Sequence, residues 1–288
     1  VGLGGTNDGA GHFILDRTAV TNELVSLKPV TGNRYFYQKR NNAGGGLGGI
    51  TGTTAINTNT KIIQMRRNYN GNYQMFYNNA QEGGNLADAD GATTPPGPRI
   101  GRHTNTTNGG LRGYINEFIV YNYAINTAQR IIINNYLSAK YGITLGADDV
   151  YTMDDSGNGN YDHAVAGIGQ ASDGSSHPDA KGTGMVRMTV AGPTLANNEW
   201  LLGGHDNASL TSNFADIGAP ILERLNRVWR ISETGDVGNV TISFDISGLS
   251  GSPIGSNLRL LIDRDGDGFS DNDVTPTSGG GIAGGGIS

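Results

Sequence analysis

Residues 113–145 carry two opposite periodicities back to back, and no other stretch restricts the fold as much. From 113 to 121 apolar and polar residues nearly alternate, with Tyr114, Asn116, Phe118 and Val120 on one face and Ile115, Glu117, Ile119 and Tyr121 on the other. Period two predicts a β-strand, and apolar residues on both faces predict that both are covered. The period then changes. Asn126 supplies a side-chain oxygen for a helix N-cap, Gln129 stands three residues on as the partner of a capping box, and Ala128, Ile132, Tyr136 and Ala139 recur at helical spacing. Gly142 suits the left-handed position just past the last turn, so a helix is expected over 127–141.

Composition decides the class around that segment. Charged residues are only 16% of the chain and 47 of its 288 residues are glycine, which disfavours long helices and favours short strands joined by turns. A mainly β chain is expected, long enough for two domains that each bury a core. Cysteine is absent, so neither disulfides nor thiolate metal sites can stabilise it. With a net charge of −6 and scattered Lys and Arg, the chain has no electrostatic footprint for nucleic acid. It has no apolar run of about 18 residues to span a membrane and no charged leader before an apolar segment. Val1 is not expected to be the natural start, and the chain reads as a piece of something longer.

Strands are expected at 12–15, 24–27 and 34–39, and at 61–66 and 72–78, the last two joined as a hairpin across Asn70-Gly71. Residues 41–54 are glycine-rich enough to be a long loop or a weak edge strand, and 80–98 read as a polar loop closed by three prolines. Beyond 146, short strands are expected at 164–168, 185–190, 199–203, 227–232, 240–245 and 258–262, a spacing that suggests a second sandwich.

The run LRGYINEFIVYN, followed by a helix and YLSAKYGITL, resembles the closing segment of laminin-G-like, concanavalin A-like lectin domains of large exported bacterial surface proteins. The resemblance implies a jelly roll over 1–145, incomplete at its N-terminus and ending in the short helix. Tyr161–Gly169 with its AGIG, RVWRISE from 227 and LRLLIDRDGDG from 258 resemble a β-rich domain of unknown function that follows such lectin-like domains. A second β-sandwich over 146–288 is therefore expected. What the family implies is a non-enzymatic segment outside a Gram-negative cell, exported by the type IX route, with adhesion or carbohydrate binding as its work. The other class of reading is a structural subunit of an extracellular filament or surface layer, self-associating through edges such as 43–54.

The sharpest chemical motif is Asp263, Asp265 and Asp267 at positions 1, 3 and 5, Gly268 at 6 and Asp271 at 9, the opening of an EF-hand-type calcium loop. Position 12 is Val274, so the closing Glu is missing, although Asp273 stands one place earlier. The expected ligands of a structural calcium are Asp263, Asp265, Asp267, the Phe269 carbonyl, Asp271 and Asp273. Asp154, Ser156, Asn158 and Asp162, with Gly159, repeat the spacing weakly and read more simply as a turn. No catalytic site is expected. Glu117 lacks the alternate-position carboxylate partner that glycanases on this fold use, and His12, His103, His163, His177 and His205 form no i, i+4 pair. Trp200 and Trp229 fall in strands and read as core, while Tyr35, Phe36, Tyr37, Tyr69, Tyr73 and Tyr77 are candidates to line a glycan site.

Overall fold

In a computed structural model of the chain, the described residues are 2–3, 15–16, 24–30, 34–40, 46–67, 71–87, 99–101, 113–182, 184–190, 195–251, 258–264 and 266–270. They are mainly β, with one α-helix and several antiparallel sheets. The chain divides into two compact units, Val1–Asn126 with Ile143–Asp148 and Thr127–Gly142 with Asp149–Ser288.

The first unit has two main sheets. Strands β1 (Leu24–Val30), β2 (Arg34–Arg40) and β3 (Gly46–Ala55) lie side by side, with Leu15–Asp16 and Arg99–Ile100 beyond β1. From Gly46 on, the glycine-rich segment is thus an edge strand. Strands β4 (Ile63–Arg67), β5 (Asn72–Tyr77) and β6 (Ala80–Ala87) form the second sheet. Residues 80–87, read from sequence as loop, are a strand because Asn78 and Asn79 turn the chain back on itself. Both hold left-handed φ, 43° and 75°, as a two-residue hairpin turn between paired Tyr77 and Ala80 requires. Tyr35, Tyr37, Ile50 and Met75 form the buried centre of one cluster, with Ile63, Tyr73, Tyr77 and Leu86 packed around it, so both sheets contribute to one core.

Strand 113–121 is shorter than its alternation predicts. Only Gly113–Tyr114 is paired, against Gly2–Leu3, and 115–121 carry no ladder. Val120 on one face is 73% exposed, and Ile119 and Tyr121 on the other are each 40% exposed, so neither face is covered as expected. Alternation fixes which side chains share a face but does not provide the neighbouring strand whose hydrogen bonds define a sheet.

The second unit is layered. Strands β7 (His163–Gln170), β10 (Glu199–His205) and β11 (Trp229–Thr234) make one sheet with Ser176–His177. Strands β8 (Asp179–Lys181), β9 (Val186–Val190) and β12 (Val240–Phe244) make the other. Ile168 and Leu201 face the second sheet in a cluster with Ala180, Met188 and Val190. On the opposite side Trp200, Leu202 and Val165 pack under helix α1 (Thr127–Tyr141) through Ala128, Ile131, Ile132 and Ala139. The AGIG motif makes that surface. Gly169 pairs with Trp200 and Gly167 with Leu202, and a Cβ on Gly169 would lie 2.1 Å from Trp200 Cε3. Residues 258–262, expected as a strand, pair with no neighbour among the described residues.

Helix α1 has the limits its periodicity predicts, and Gly142 follows it with φ of 62°. Its place is corrected. It was expected to close the first domain on the strand at 113–121; instead its apolar face is buried in the second unit, where Trp200 and Leu202 supply the flat surface it needs. Asn135, 1% exposed, ties it down: Oδ1 accepts the N–H groups of Val150 and Tyr151, both at 3.0 Å, while Nδ2 donates to the Ile131 carbonyl at 2.9 Å. Asn135→Ala leaves two amides without that acceptor and is expected to lower stability by about 2–4 kcal/mol in urea unfolding, whereas Asn122→Ala on the exposed connection should change it by less than about 0.5 kcal/mol.

Candidate functional site

The acidic loop at 263–270 is built on glycine turns. Asp263 Oδ1 accepts the Gly266 N–H at 2.7 Å, and Gly266 and Gly268 hold φ of 87° and 112°, conformations that favour glycine. Asp216 supports the loop from outside the motif. Its Oδ1 accepts the Phe269 N–H at 2.9 Å, and a Cβ on Gly268 would lie 2.4 Å from that same oxygen. Arg224 reaches both, with Nη2 3.7 Å from Asp216 Oδ2 and its guanidinium 5.1 Å from the Phe269 ring centre. Of the six expected ligands, the structure places Asp263, Asp267 and Phe269 on this loop; Asp265, Asp271 and Asp273 lie outside the described residues. The donors are all oxygen, the set that suits calcium. Among the described residues, no three His, Asp or Glu side chains are grouped so as to hold a metal ion.

The weaker copy at 154–162 is an internally bonded turn. Asn158 Nδ2 donates to the Thr152 carbonyl at 2.7 Å, Asn158 N–H to the Asp155 carbonyl at 2.8 Å and Tyr161 N–H to the Met153 carbonyl at 2.9 Å. The turn gathers negative charge. Burial, then Asp149, Asp155 and Asp162, push the Asp154 carboxyl up to about 6, and burial followed by Asp155 raises that of Asp149.

Next to it stand two histidines that are 42 positions apart in sequence. His163 and His205 face each other across β7 and β10, with ring centres 5.8 Å apart and planes 22° from parallel. A bulge makes this possible: Ala164, at φ of 52°, and Val165 together oppose the single residue Gly204. His205 is 5% exposed, and its Nδ1 accepts the Asn207 N–H at 3.0 Å. Burial first, then Arg227 and His163, push it down to about 4. His163 Nδ1 lies 2.5 Å from Asp162 Oδ1.

In the first unit four of the tyrosines expected to line a glycan site, Tyr35, Tyr37, Tyr73 and Tyr77, belong to the core. Tyr35 and Tyr37 are buried, and Tyr73 and Tyr77 pack against them with ring centres 5.7–6.3 Å apart; Tyr69 lies outside the described residues. Trp200 is core, as expected, and Trp229 is half-buried. Glu117 sits beside Tyr121, whose hydroxyl is raised by burial, then by Tyr123 and Glu117. Two charged groups that sequence reasoning missed are buried here. The Glu82 carboxylate accepts the amide and hydroxyl of both Thr53 and Thr54. Lys61, pushed down to about 8 by burial, donates to the Asn57 carbonyl at 2.5 Å and to its side-chain oxygen at 2.8 Å. No spacing in the sequence marks either residue. Asp149 and Asp155 had a signal, as the paired aspartates 148–149 and 154–155 flank Tyr151.

Residues 180–283 match the family model of a domain of unknown function, DUF8202. No curated protein and no solved structure matches the chain. No helix among the described residues is long and apolar enough to cross a membrane.

Asp154 supplies a test of the acidic turn. Its folded-state value lies above the ordinary carboxylate value of 3.8, so its charge opposes folding above about pH 6, and that opposition is relieved as the pH falls toward 3.8. Asp154→Asn is expected to stabilise the chain at pH 7 by about 1–2 kcal/mol, allowing for water screening of a partly exposed group, and to steepen the loss of stability below pH 6. Thermal melts of both proteins across that range measure both effects.

Proposed function

We propose that this chain is a non-enzymatic segment of a secreted protein on the surface of a Gram-negative bacterium, serving adhesion or carbohydrate binding, with structural calcium in its second unit. The observation that carries the reading is the segment 111–145, whose order of strand pattern, helix and KYGITL follows the closing segment of the lectin-like family. The core shared by two sheets supports reading the first unit as a jelly roll. A loop already turned by Gly266 and Gly268 and clamped by Asp216 supports the calcium reading, with Asp263, Asp265, Asp267, Phe269, Asp271 and Asp273 as the residues that would hold the ion. Calcium would cancel the mutual repulsion of these carboxylates and hold the loop against Asp216.

A structural subunit of a filament or surface layer is the second reading. The exposed apolar run favours it, since Tyr114, Val120 and Tyr123 are 80%, 73% and 57% exposed, and a contact between chains would cover them. A monomer retained on immobilised glycans supports adhesion; concentration-dependent polymers in light scattering, lost in Val120→Lys, support the filament. Turnover of polysaccharide detected at new reducing ends and abolished by Glu117→Gln would overturn both.

For the calcium, without a bidentate Glu at position 12 a dissociation constant of roughly 10⁻⁴ to 10⁻³ M is expected. At about 100 times that concentration, folding should gain ~2.7 kcal/mol over the chelator-treated protein. Asp265→Ala should remove the gain, while Asp154→Asn should keep it. Equal melting midpoints with and without calcium in the unsubstituted chain would end this assignment.

A further inference from the structure

We propose that the stacked pair His163 and His205 is an acid-sensitive latch, which holds Trp229 against the opposite sheet and releases that end of the second unit when His205 takes up a proton. The geometry begins with the tautomer. His205 Nδ1 accepts the Asn207 N–H at 3.0 Å, so the ring is neutral with its proton on Nε2. A second proton would have to go on Nδ1, where a donor would then face a donor and the bond would be lost.

Nearby charges act in both directions, with burial and the repulsive ones outweighing the rest. The groups around His205 are His163 and Asp162 on the side of β7, and Asp206 and Arg227 on the loops that follow β10 and precede β11. Arg227 is fixed by donation from Nε to the Ala208 carbonyl at 2.7 Å, and Asp206 Oδ1 is occupied by the N–H groups of Ala208 at 3.0 Å and Val228 at 3.2 Å. The Asp206 and Asp162 carboxylates favour a charge on His205, while the Arg227 guanidinium and His163 oppose it and burial opposes it most. Burial and these repulsions keep His205 neutral down to about pH 4, against an ordinary value of 6.5.

The ring is also the first member of an aromatic series linking the two sheets. Trp229 stands edge-on to His205 with ring centres 6.1 Å apart, and Phe244 of β12 stands edge-on to Trp229 at 5.9 Å. Behind them lies an apolar cavity of about 30 Å³, lined by Ala166, Met188, Gly203 and Ile231 together with Trp229 and Phe244. Small residues leave this end of the interior thinly filled, so Trp229 and Phe244 are what close it. The folded-state value of His205 is depressed, so its contribution to stability is complete above pH 6.5 and is lost as the pH falls toward about 4.

The chain has two tryptophans, hence two indole N–H signals in a ¹⁵N-labelled sample. Titrated downward from neutral pH, the Trp229 signal should shift or broaden between pH 6.5 and about 4 while that of Trp200, under the helix, holds its position. No movement of Trp229, or movement of both signals at one midpoint, overturns the latch. His205→Gln retains an acceptor for Asn207 but cannot titrate, so a folded variant must lose the step; a step kept at the same pH overturns the proposal. Should that variant not fold, His163→Phe decides. Removal of its repulsion must move the Trp229 midpoint to higher pH, and an unchanged midpoint rejects the pair as the origin.

Discussion

The second unit depends on one strand, Glu199–His205, being covered on both faces. Trp200 and Leu202 point toward the helix and Leu201 toward the other sheet, and burying side chains of this size contributes about 1.5–3 kcal/mol apiece. A strand covered twice needs neighbours that leave room for it. Gly167 and Gly169 do so on one side, lying beneath Leu202 and Trp200, and Gly204 does so for the Tyr151 hydroxyl, which a Cβ would approach to 2.7 Å. That hydroxyl donates to the Tyr161 carbonyl at 2.7 Å, so the same close packing fixes the end of the acidic turn and, two residues later, His163. Helix, turn and histidine pair all take their positions from the bulk carried by this strand and the bulk its neighbours lack.

Buried polar groups then set orientation where apolar packing alone would tolerate several. Asn135 joins helix α1 to Val150 and Tyr151, so the helix is fixed along its axis as well as in depth. Glu82 plays the corresponding part in the first unit, between β3 and β6. Burial works against its charge, but donors from Thr54 and Thr53 outweigh burial and hold the carboxyl below its ordinary range. Because the acceptors are satisfied in one register only, each group specifies that register, and loss of either partner would strand a desolvated acceptor or donor.

Local signals in the sequence were reliable wherever the cause of the structure is local. The limits of helix α1, the hairpin of β4 and β5 and most strands of the second unit follow from periodicity and turn residues. Three failures were of another kind. The run 113–121 alternates well enough for a strand, but its neighbour is a tertiary matter, and the helix after it found its apolar partner in Trp200, far along the chain. Strand β6 was hidden because AQEGGNLA has neither alternation nor β-branched residues; a turn of two left-handed asparagines and the Glu82 clamp make it a strand. For the site, the acidic loop was readable as a motif. Asp216 was not, since nothing but the fold brings it to Phe269.

The histidine pair and the acidic turn also explain why a global measurement would miss what happens at this end of the unit. Both Asp154 and His205 are driven toward their neutral forms by burial, yet neutrality means protonation for one and deprotonation for the other. As the pH falls through 6, the turn is relieved of charge and gains stability. Over the same interval the imidazole is pressed toward a charge that its surroundings resist, and stability is lost. The two slopes have opposite sign across an overlapping range, so melting temperature would change far less than either group changes its surroundings. Asp162 and His163, adjacent in the chain, belong one to each group, and the opposition is therefore built into a single bulged strand end.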